Sequence, residues 1–375
     1  MKKIIISVLG LFIVLVNNVC AQEKQNFREW AQTPPMGWNS WDCYGPTVTE
    51  KETKANADFM AKNLKQYGWE YVVVDIRWFI ANDKAGGYNE SNPVYVIDNY
   101  GRYQPAENRF PSSVNGKGFK ALADYVHSKG LKFGIHIMRG IPKVAVMRHL
   151  PVKGTNGITA DQIYSEEGRC KWLKDNYTVD ASKPGAQEYY NSIFDMYAEW
   201  GVDFIKIDDL SAPDYHQPEI EMIPLGHIAI RGERGEDRMT RLTKDEQYSL
   251  MTFFCIFRSP LMFGGDLPTI DPFTLSLLTN KGVLKMHKDG THVRELFNDG
   301  KKLAITSKDA KNGATYLAIF NLSDQKQQIE VPLNSLGIKG AKKATLLWDN
   351  KQVGKVKGKV KANLNPHACT LYKLD

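Results

Sequence analysis

The stretch Gly201-Val202-Asp203-Phe204-Ile205-Lys206-Ile207-Asp208-Asp209 decides how the chain is read. Phe204, Ile205 and Ile207 are bulky and β-favouring, so 203–207 is predicted to be a buried strand with Asp208 at its C-terminal end. In parallel α/β folds that end carries the ligand sites, because loops there vary without disturbing the packed sheet. Two successive aspartates would suit a solvated turn equally well, so the flanking sequence has to decide.

Upstream, one cadence occurs three times: helix, glycine, strand, polar residue. In the first, Thr49 and Glu52 form a capping box, Ala55, Phe59 and Leu64 recur at helical spacing, Gly68 stops the helix, and the strand 71–74 ends at Asp75. In the second, Phe119, Leu122, Ala123 and Val126 form the stripe, Gly130 stops it, and the strand 132–135 finishes at His136. The third opens at Ser182-Lys183-Pro184, runs through Ile193, Phe194 and Tyr197, stops at Gly201 and delivers Asp208. A further strand is expected at 36–41, within Thr33-Pro34-Pro35-Met36-Gly37-Trp38-Asn39-Ser40-Trp41. Repeated βα units with polar residues at the strand ends indicate a parallel barrel or an open doubly wound sheet. No phosphate-cradling glycine motif follows any of these strands, which disfavours a nucleotide fold.

Long insertions separate the units, at 82–111 with Tyr88, Tyr95, Tyr100 and Tyr103, and at 139–180 with Trp172 and Tyr177. Loops of that length in a compact domain are usually functional. Their aromatics could stack on sugar rings or simply pack. Downstream, Thr243 and Glu246 cap a helix with Leu250, Met251, Phe254 and Phe257 on its apolar face, 259–266 reads as a strand and glycine turn, and 271–280 as a last helix. From about Thr291 short alternating runs punctuated by Asn, Asp, Gly and Pro predict an antiparallel β-sandwich. Within it, Lys355, Lys357, Lys359 and Lys361 read as a lysine-decorated strand face guarding an edge.

A chain of 375 residues can bury a full core and suits one large domain plus a small one. Lys2 and Lys3, the apolar run 4–16 and the small residues before Gln22 have the layout of a secretory signal peptide, too short to span a bilayer comfortably. The expected organisation is therefore a leader at 1–21, a barrel domain at 22–290 and a sandwich at 291–375, in an exported protein. Asn17, where a leucine-like residue would be expected, argues against lipid attachment at Cys20. Loss of Lys2 and Lys3 lowers the formal charge from +7 to +5, a mild excess spread along the chain that does not indicate nucleic acid. Cys43, Cys170, Cys255 and Cys369 lie far apart without metal-ligand spacing, and the eight histidines show no paired spacing, so neither metal nor cofactor is expected. One disulfide could form in an oxidising compartment, though a core of this size does not need it.

The residues now in hand resemble glycoside hydrolase family 27, the α-galactosidase (melibiase) family. The resemblance rests on Thr33-Pro34-Pro35-Met36-Gly37-Trp38-Asn39-Ser40-Trp41, on 68–78, on 101–110 leading into Tyr125-Val126-His127-Ser128-Lys129-Gly130-Leu131-Lys132, on 201–208 and on 259–267. It implies a (β/α)8 TIM barrel followed by a β-sandwich, and hydrolysis of terminal α-galactosides with retention. By position, it makes Asp208 the nucleophile and Lys206 and Asp75 ligands of sugar hydroxyls, with Trp41 flanking them and Trp78 and His136 also at the substrate site. The family usually carries a second aspartate after the one matching Asp75; here Ile76 stands there, which bears on hydroxyl recognition and on the preferred glycone.

The chemistry asks for the same residue types. A retaining glycosidase needs one ionised carboxylate to attack the anomeric carbon and a protonated one about 5 Å away to protonate the leaving oxygen. Lys206, two residues before Asp208, faces the same side of the strand and favours the ionised form of a neighbouring carboxylate.

Counting exposes a gap. The strands ending at Trp41, Asp75, His136 and Asp208 use about half the mature chain, and four further units at ~30 residues each need on the order of 120 residues. Only 73 lie from Leu210 to Gly282, holding one clear unit and an ambiguous apolar piece at 224–230. The family's acid/base aspartate and a tryptophan- and aspartate-containing segment should precede the piece Pro224-Leu225-Gly226, but Glu219-Ile220-Glu221-Met222-Ile223 runs straight into it. The expectation is an incomplete barrel, with about three βα units missing near Ile223 and Pro224 and no assignable acid. Asp209, Asp214, Glu219 and Glu221 are near in sequence, but nothing sets them opposite Asp208. Two alternatives stand beside an active glycosidase: an impaired relative that only binds galactosides, and an aldolase-like barrel with a Schiff base on Lys206.

Overall fold

The computed structural model describes residues 29–210 and 222–375. The expected leader, Cys20, Asp214, Glu219 and Glu221 lie outside the described residues.

Five strands, β1 (Met36–Asn39), β2 (Tyr71–Val74), β3 (Lys132–Met138), β4 (Phe204–Asp208) and β5 (Leu261–Phe263), form one sheet in the spatial order β5-β1-β2-β3-β4. Every pairing is parallel. The register sets His136 beside Lys206 and Met138 beside Asp208, which brings the polar residues of neighbouring strands to one end of the sheet. Val72, Val73 and Val74 are fully buried, as expected of a strand covered on both faces. Gly37 sits where β1 crosses β2: a Cβ there would lie 2.3 Å from the Tyr71 carbonyl oxygen, so no other residue fits.

Helices α1 (Glu50–Asn63), α2 (Lys120–Ser128) and α3 (Ala186–Glu199) cover the sheet. The Thr49–Glu52 capping box starts α1, and Gly68, in the left-handed region at φ 97°, closes the turn that follows it. Leu122, Ala123 and Val126 of α2 are the buried stripe read from the spacing; on α3 Ile193 and Tyr197 are buried as expected, but Phe194 is 40% exposed and the stripe runs instead through Tyr189, Ile193, Met196 and Tyr197. Helix α4 (Lys244–Ile256) has its predicted capping box at Thr243 and Glu246. The expected last helix is two: α5 (Pro272–Leu278), capped by the Asp271 carboxylate, and α6 (Lys281–Asp289), capped by Asn280.

Beyond β4 the barrel wall stops among the described residues. Ile207 and Leu210 stand 39% and 66% exposed along that edge, positions that a closed barrel would cover. Among the described residues the chain next meets the wall at Ile223, which makes a parallel bridge to Phe263 and exchanges backbone hydrogen bonds with Met262 and Gly264 at 2.7 and 3.0 Å. The apolar piece at 224–230 then becomes a small hairpin, His227–Ile228 with Arg238–Met239, rather than a barrel strand. The fold is thus an incomplete TIM-type barrel.

The C-terminal part is antiparallel, as expected. A six-stranded sheet contains Gly290–Asn298, Lys302–Asp309, Thr315–Asn321, Cys369–Leu374, Ala341–Leu346 and Lys351–Lys357. Gln327–Pro332 pairs with Lys359–Leu364 as a second layer, and Leu317, Ile319, Ile329, Val331 and Val360 fill the space between. The lysine run is not one strand: it splits at Gly358, and Lys359 and Lys361 both pair with Glu330 of the neighbouring strand. Helix α4 joins the two parts, through Ser249 donating to the His367 carbonyl at 2.7 Å and Trp348 Nε1 donating to Thr252 Oγ1 at 2.8 Å. Cys43, Cys170, Cys255 and Cys369 are all free thiols.

Candidate functional site

At the C-terminal end of β4 the Asp208 carboxylate is held from two sides. His136 Nε2 lies 3.0 Å from Oδ2, and the Asp209 amide donates to Oδ1 at 2.6 Å. Burial pushes the Asp208 pKa up, but the His136 contact, the Lys206 charge and the Asp209 amide outweigh it and hold the carboxyl below its usual range. An ionised carboxylate at the floor of a pocket is the form a nucleophile needs.

Asp209 is the device that aims that amide. Its φ of 61° lies in the left-handed region, which a non-glycine residue adopts at a cost. Arg139 compensates: its Nε donates to the Asp209 carbonyl at 2.7 Å, and its Nη2 lies 2.6 Å from the Asp209 carboxylate. Asp209 therefore turns away from the pocket towards Arg139.

Asp75, at the end of β2, is 1% exposed. Its Oδ2 accepts from Asn39 Nδ2 at 2.7 Å and from Lys206 Nζ at 3.1 Å, and its Oδ1 accepts from the Ile76 amide at 2.9 Å. Burial alone would raise its pKa; Lys206 first, then His136 and Asn39, reverse the direction and leave it lowered. The Lys206 nitrogen is thus engaged in an ion pair with this carboxylate, whereas a Schiff base forms on a neutral amine.

Above these groups lies a cavity of about 310 Å³, walled by Trp41, Asp75, Ile76, Tyr88, Trp172, Lys206, Asp208, Glu233 and Arg234. Trp41 and Tyr88 sit with ring centroids 6.0 Å apart. A second hollow of about 370 Å³ adjoins it through Lys206 and Asp208 and is bounded by Phe204, Ile207, Leu210, Met222 and Met262, on the side where the barrel wall is interrupted. Among the described residues no group of three or more His, Cys, Asp or Glu could hold a metal ion, and no helix is long and apolar enough to cross a membrane.

Trp41, Asp75, Lys206 and Asp208 converge as the sequence led us to expect. Two expected residues fall outside the cavity wall. Trp78 is 1% exposed, packed edge-on against Phe79, Phe119 and Trp200, and its Nε1 donates to the His136 carbonyl at 2.8 Å. His136 is 1% exposed and touches the nucleophile candidate rather than the cavity, because β3 runs on to Met138 and leaves it inside the strand.

Sequence reasoning missed Arg77. Its guanidinium, 1% exposed, forms a bidentate pair with Asp175 at 2.7 and 2.8 Å and reaches Asp83 at 3.1 Å, while Tyr95 donates to Asp175 at 2.6 Å. These contacts lock both long insertions together beside the pocket and so place Tyr88 and Trp172 in its wall. The signal was an arginine three residues past a strand end, ahead of two insertions rich in aspartate and tyrosine. Glu233 was also missed, since nothing in its local sequence links it to the strand ends.

Residues 33–148 match the family described as "Alpha galactosidase A", and residues 300–374 match the "Alpha galactosidase C-terminal beta sandwich domain". A β-L-arabinopyranosidase of glycoside hydrolase family 27 from Geobacillus stearothermophilus superposes with a TM-score of 0.88 at 42% identity, covering 92% of this chain and 97% of that one. A variant of it, crystallised with arabinose, matches at 41% identity and the same TM-score over 94% of this chain and 99% of that one. "Alpha-galactosidase A" of Cellvibrio japonicus is 34% identical over 211 residues, 56% of this chain and 38% of that protein's length. The α-galactosidase of Cyamopsis tetragonoloba is 23% identical over 413 positions, covering 92% of this chain and 86% of its own.

Proposed function

We propose, for a chain that belongs to glycoside hydrolase family 27, that Asp208 is the nucleophile of a retaining glycosidase acting on terminal sugars of α-galactoside configuration. One observation carries the reading: an ionised Asp208 carboxylate, clamped by His136 and the Asp209 amide, faces a cavity that Lys206 and Asp75 also line. In the first step an Asp208 oxygen attacks the anomeric carbon, the glycosidic C–O bond breaks, and the leaving oxygen needs a proton; water then cleaves the ester and returns the carboxylate. Asp75 is held ionised by Lys206 and suits accepting hydrogen bonds from sugar hydroxyls rather than donating a proton. Asp208→Asn should abolish turnover of an aryl α-galactoside while leaving the thermal unfolding midpoint within a few degrees; retained turnover removes Asp208 from the role.

The acid/base residue is left unassigned. We propose that about three βα units are absent between β4 and Ile223, in support of which the match to the Cyamopsis enzyme runs over 413 positions, more than the 375 residues this chain has. A chain with nucleophile but no acid turns over an activated aryl glycoside and not melibiose, whose leaving oxygen requires the proton. Equal activity on both would reveal an acid; activity on neither leaves a galactoside-binding relative. Resequencing the locus at the codons for Ile223 and Pro224 distinguishes a genuine gap from an error in the gene sequence.

A second glycone has its own support. β-L-Arabinopyranose is the galactose ring without its exocyclic hydroxymethyl group. Ile76, in the cavity wall where the family usually presents a carboxylate, offers no partner to a hydroxyl, and the Geobacillus relative is an arabinopyranosidase. Comparing kcat/KM for the two p-nitrophenyl glycosides decides between them. We also propose export, from Lys2, Lys3 and the apolar run that follows; N-terminal sequencing of the mature protein should begin at Gln22.

A further inference from the structure

Asp75 already accepts from Asn39 and Lys206, and Ile76 beside it is apolar, so the end of β2 offers a sugar one carboxylate that is partly engaged. A second carboxylate stands in the same wall, from a distant loop. Glu233 lines the cavity with Trp41, Tyr88 and Asp75, its side chain 26% exposed.

The backbone around it is pinned to the barrel. The Ala229 and Arg231 amides donate to the carbonyls of Asp42 and Cys43 at 2.7 and 2.9 Å, and the Gly86 amide donates to Gly232 at 3.0 Å. At Gly45 the two chains run so close that a Cβ would sit 2.8 Å from the Glu233 nitrogen. Arg231 adds a tie to Glu52 of α1 at 2.7 Å. These contacts hold Glu233 against the Trp41–Tyr88 wall, where a solvated loop carboxylate would have no reason to be held. Its ion-pair contact is a long one, 3.5 Å to the Nε of the adjacent, largely exposed Arg234, which leaves acceptor capacity for a ligand. Glu233 raises the Tyr88 phenol, after burial and ahead of Asp75, in keeping with its place beside Trp41, Tyr88 and Asp75 in the wall.

We propose that Glu233 is a glycone-recognition residue, accepting a hydrogen bond from a ring hydroxyl of a neutral pyranoside seated between Trp41, Tyr88 and Asp75. This rests on the reading of the cavity as a sugar site. In it, Glu233 supplies from the loop after Ile223 an acceptor that Ile76 does not provide on β2.

The test is titration calorimetry of the full chain with methyl α-D-galactopyranoside and methyl β-L-arabinopyranoside, using wild type, Glu233→Gln and, as a control in the sandwich, Lys355→Gln. A hydrogen bond to the Glu233 carboxylate is weakened in Glu233→Gln, so Kd should rise about tenfold or more for whichever glycoside the wild type binds, with Lys355→Gln within about twofold. A Kd for Glu233→Gln within twofold of wild type overturns the proposal while leaving the sugar site standing. Wild type that binds neither glycoside overturns both. A third outcome also refutes it: unchanged Kd together with loss of turnover that grows with the basicity of the leaving group, which would make Glu233 the missing acid. Because Glu233 is partly exposed and Gln is isosteric, the variant should unfold at the wild-type temperature, and circular dichroism checks this.

Discussion

Replacing Lys206 by methionine removes the cation that Asp75 depends on, and the structure sets the size of the effect. Nζ lies 3.1 Å from Oδ2, with the carboxylate 2% and the ammonium side chain 18% exposed. At an effective dielectric of about 20 the gross attraction at that distance is ~5 kcal/mol. Asp75 keeps Asn39 and the Ile76 amide, so the net loss belongs at the lower end of the range for breaking a buried pair, about 3 kcal/mol at pH 7. Sign follows from linkage. The wild-type Asp75 pKa is lowered in the folded state, so its contribution is fully present above the unfolded value near 3.9 and is lost as pH falls through the folded one. Without Lys206 the burial that pushes the pKa up is less opposed, and protonation then favours the folded variant. The gap between wild type and Lys206→Met should therefore close as the pH falls from 7 towards 4. Urea unfolding at several pH values measures it, and the Asp75→Asn/Lys206→Met cycle should return a coupling of about 2 kcal/mol. A loss under about 1 kcal/mol at pH 7, or a gap unchanged with pH, would refute the reasoning.

Other outcomes follow from the same contacts. Arg139→Met should lower kcat for an aryl glycoside about tenfold to a hundredfold with KM nearly unchanged, because Asp209 no longer aims its amide at Asp208; a change confined to KM contradicts this. Trp78→Phe should cost about 2 kcal/mol of stability, through lost packing and the lost bond to His136, and leave sugar affinity unaltered. In the sandwich, Asp309, paired with Lys285 at 2.6 Å and Tyr316 at 2.9 Å, is lowered to about 2 by these partners against the opposing effect of burial. Asp309→Asn should cost about 1–2 kcal/mol at neutral pH, Lys285 being partly in water, and the difference should vanish as the pH falls towards 2.

Much of the fold was legible because its signals are local. The capping boxes at Thr49 and Thr243, the stripe of α2 and the strand at 71–74 are each written in a dozen residues, and the structure places them where the spacing does. The interrupted barrel was legible for a different reason: the length from Leu210 to Gly282 cannot hold four more units, and β4 ends at an exposed edge. What local spacing cannot show is where a strand end falls to within two residues, and that decided His136, which lies inside β3 and so touches Asp208 instead of the cavity. Trp78 misled because a tryptophan three residues past Asp75 satisfies a sugar platform and a core anchor equally well in sequence, and only the ring packing with Phe119 and Trp200 separates them. Arg77 and Glu233 act through partners about 100 and 150 residues away, at Asp175 and Tyr88, distances no periodicity spans.

The central claim is that Asp208 attacks the anomeric carbon in a pocket that needs no proton when the leaving group is good enough. The direct test is intact-protein and peptide mass spectrometry after incubation with 5-fluoro-α-D-galactosyl fluoride and its β-L-arabinopyranosyl counterpart, since fluoride departs without general acid and the fluorinated ester turns over slowly. The account predicts a mass increase of one fluoroglycosyl unit, located on the peptide carrying Asp208 and absent from Asp208→Asn. No adduct from either sugar, or an adduct on another residue, would contradict it.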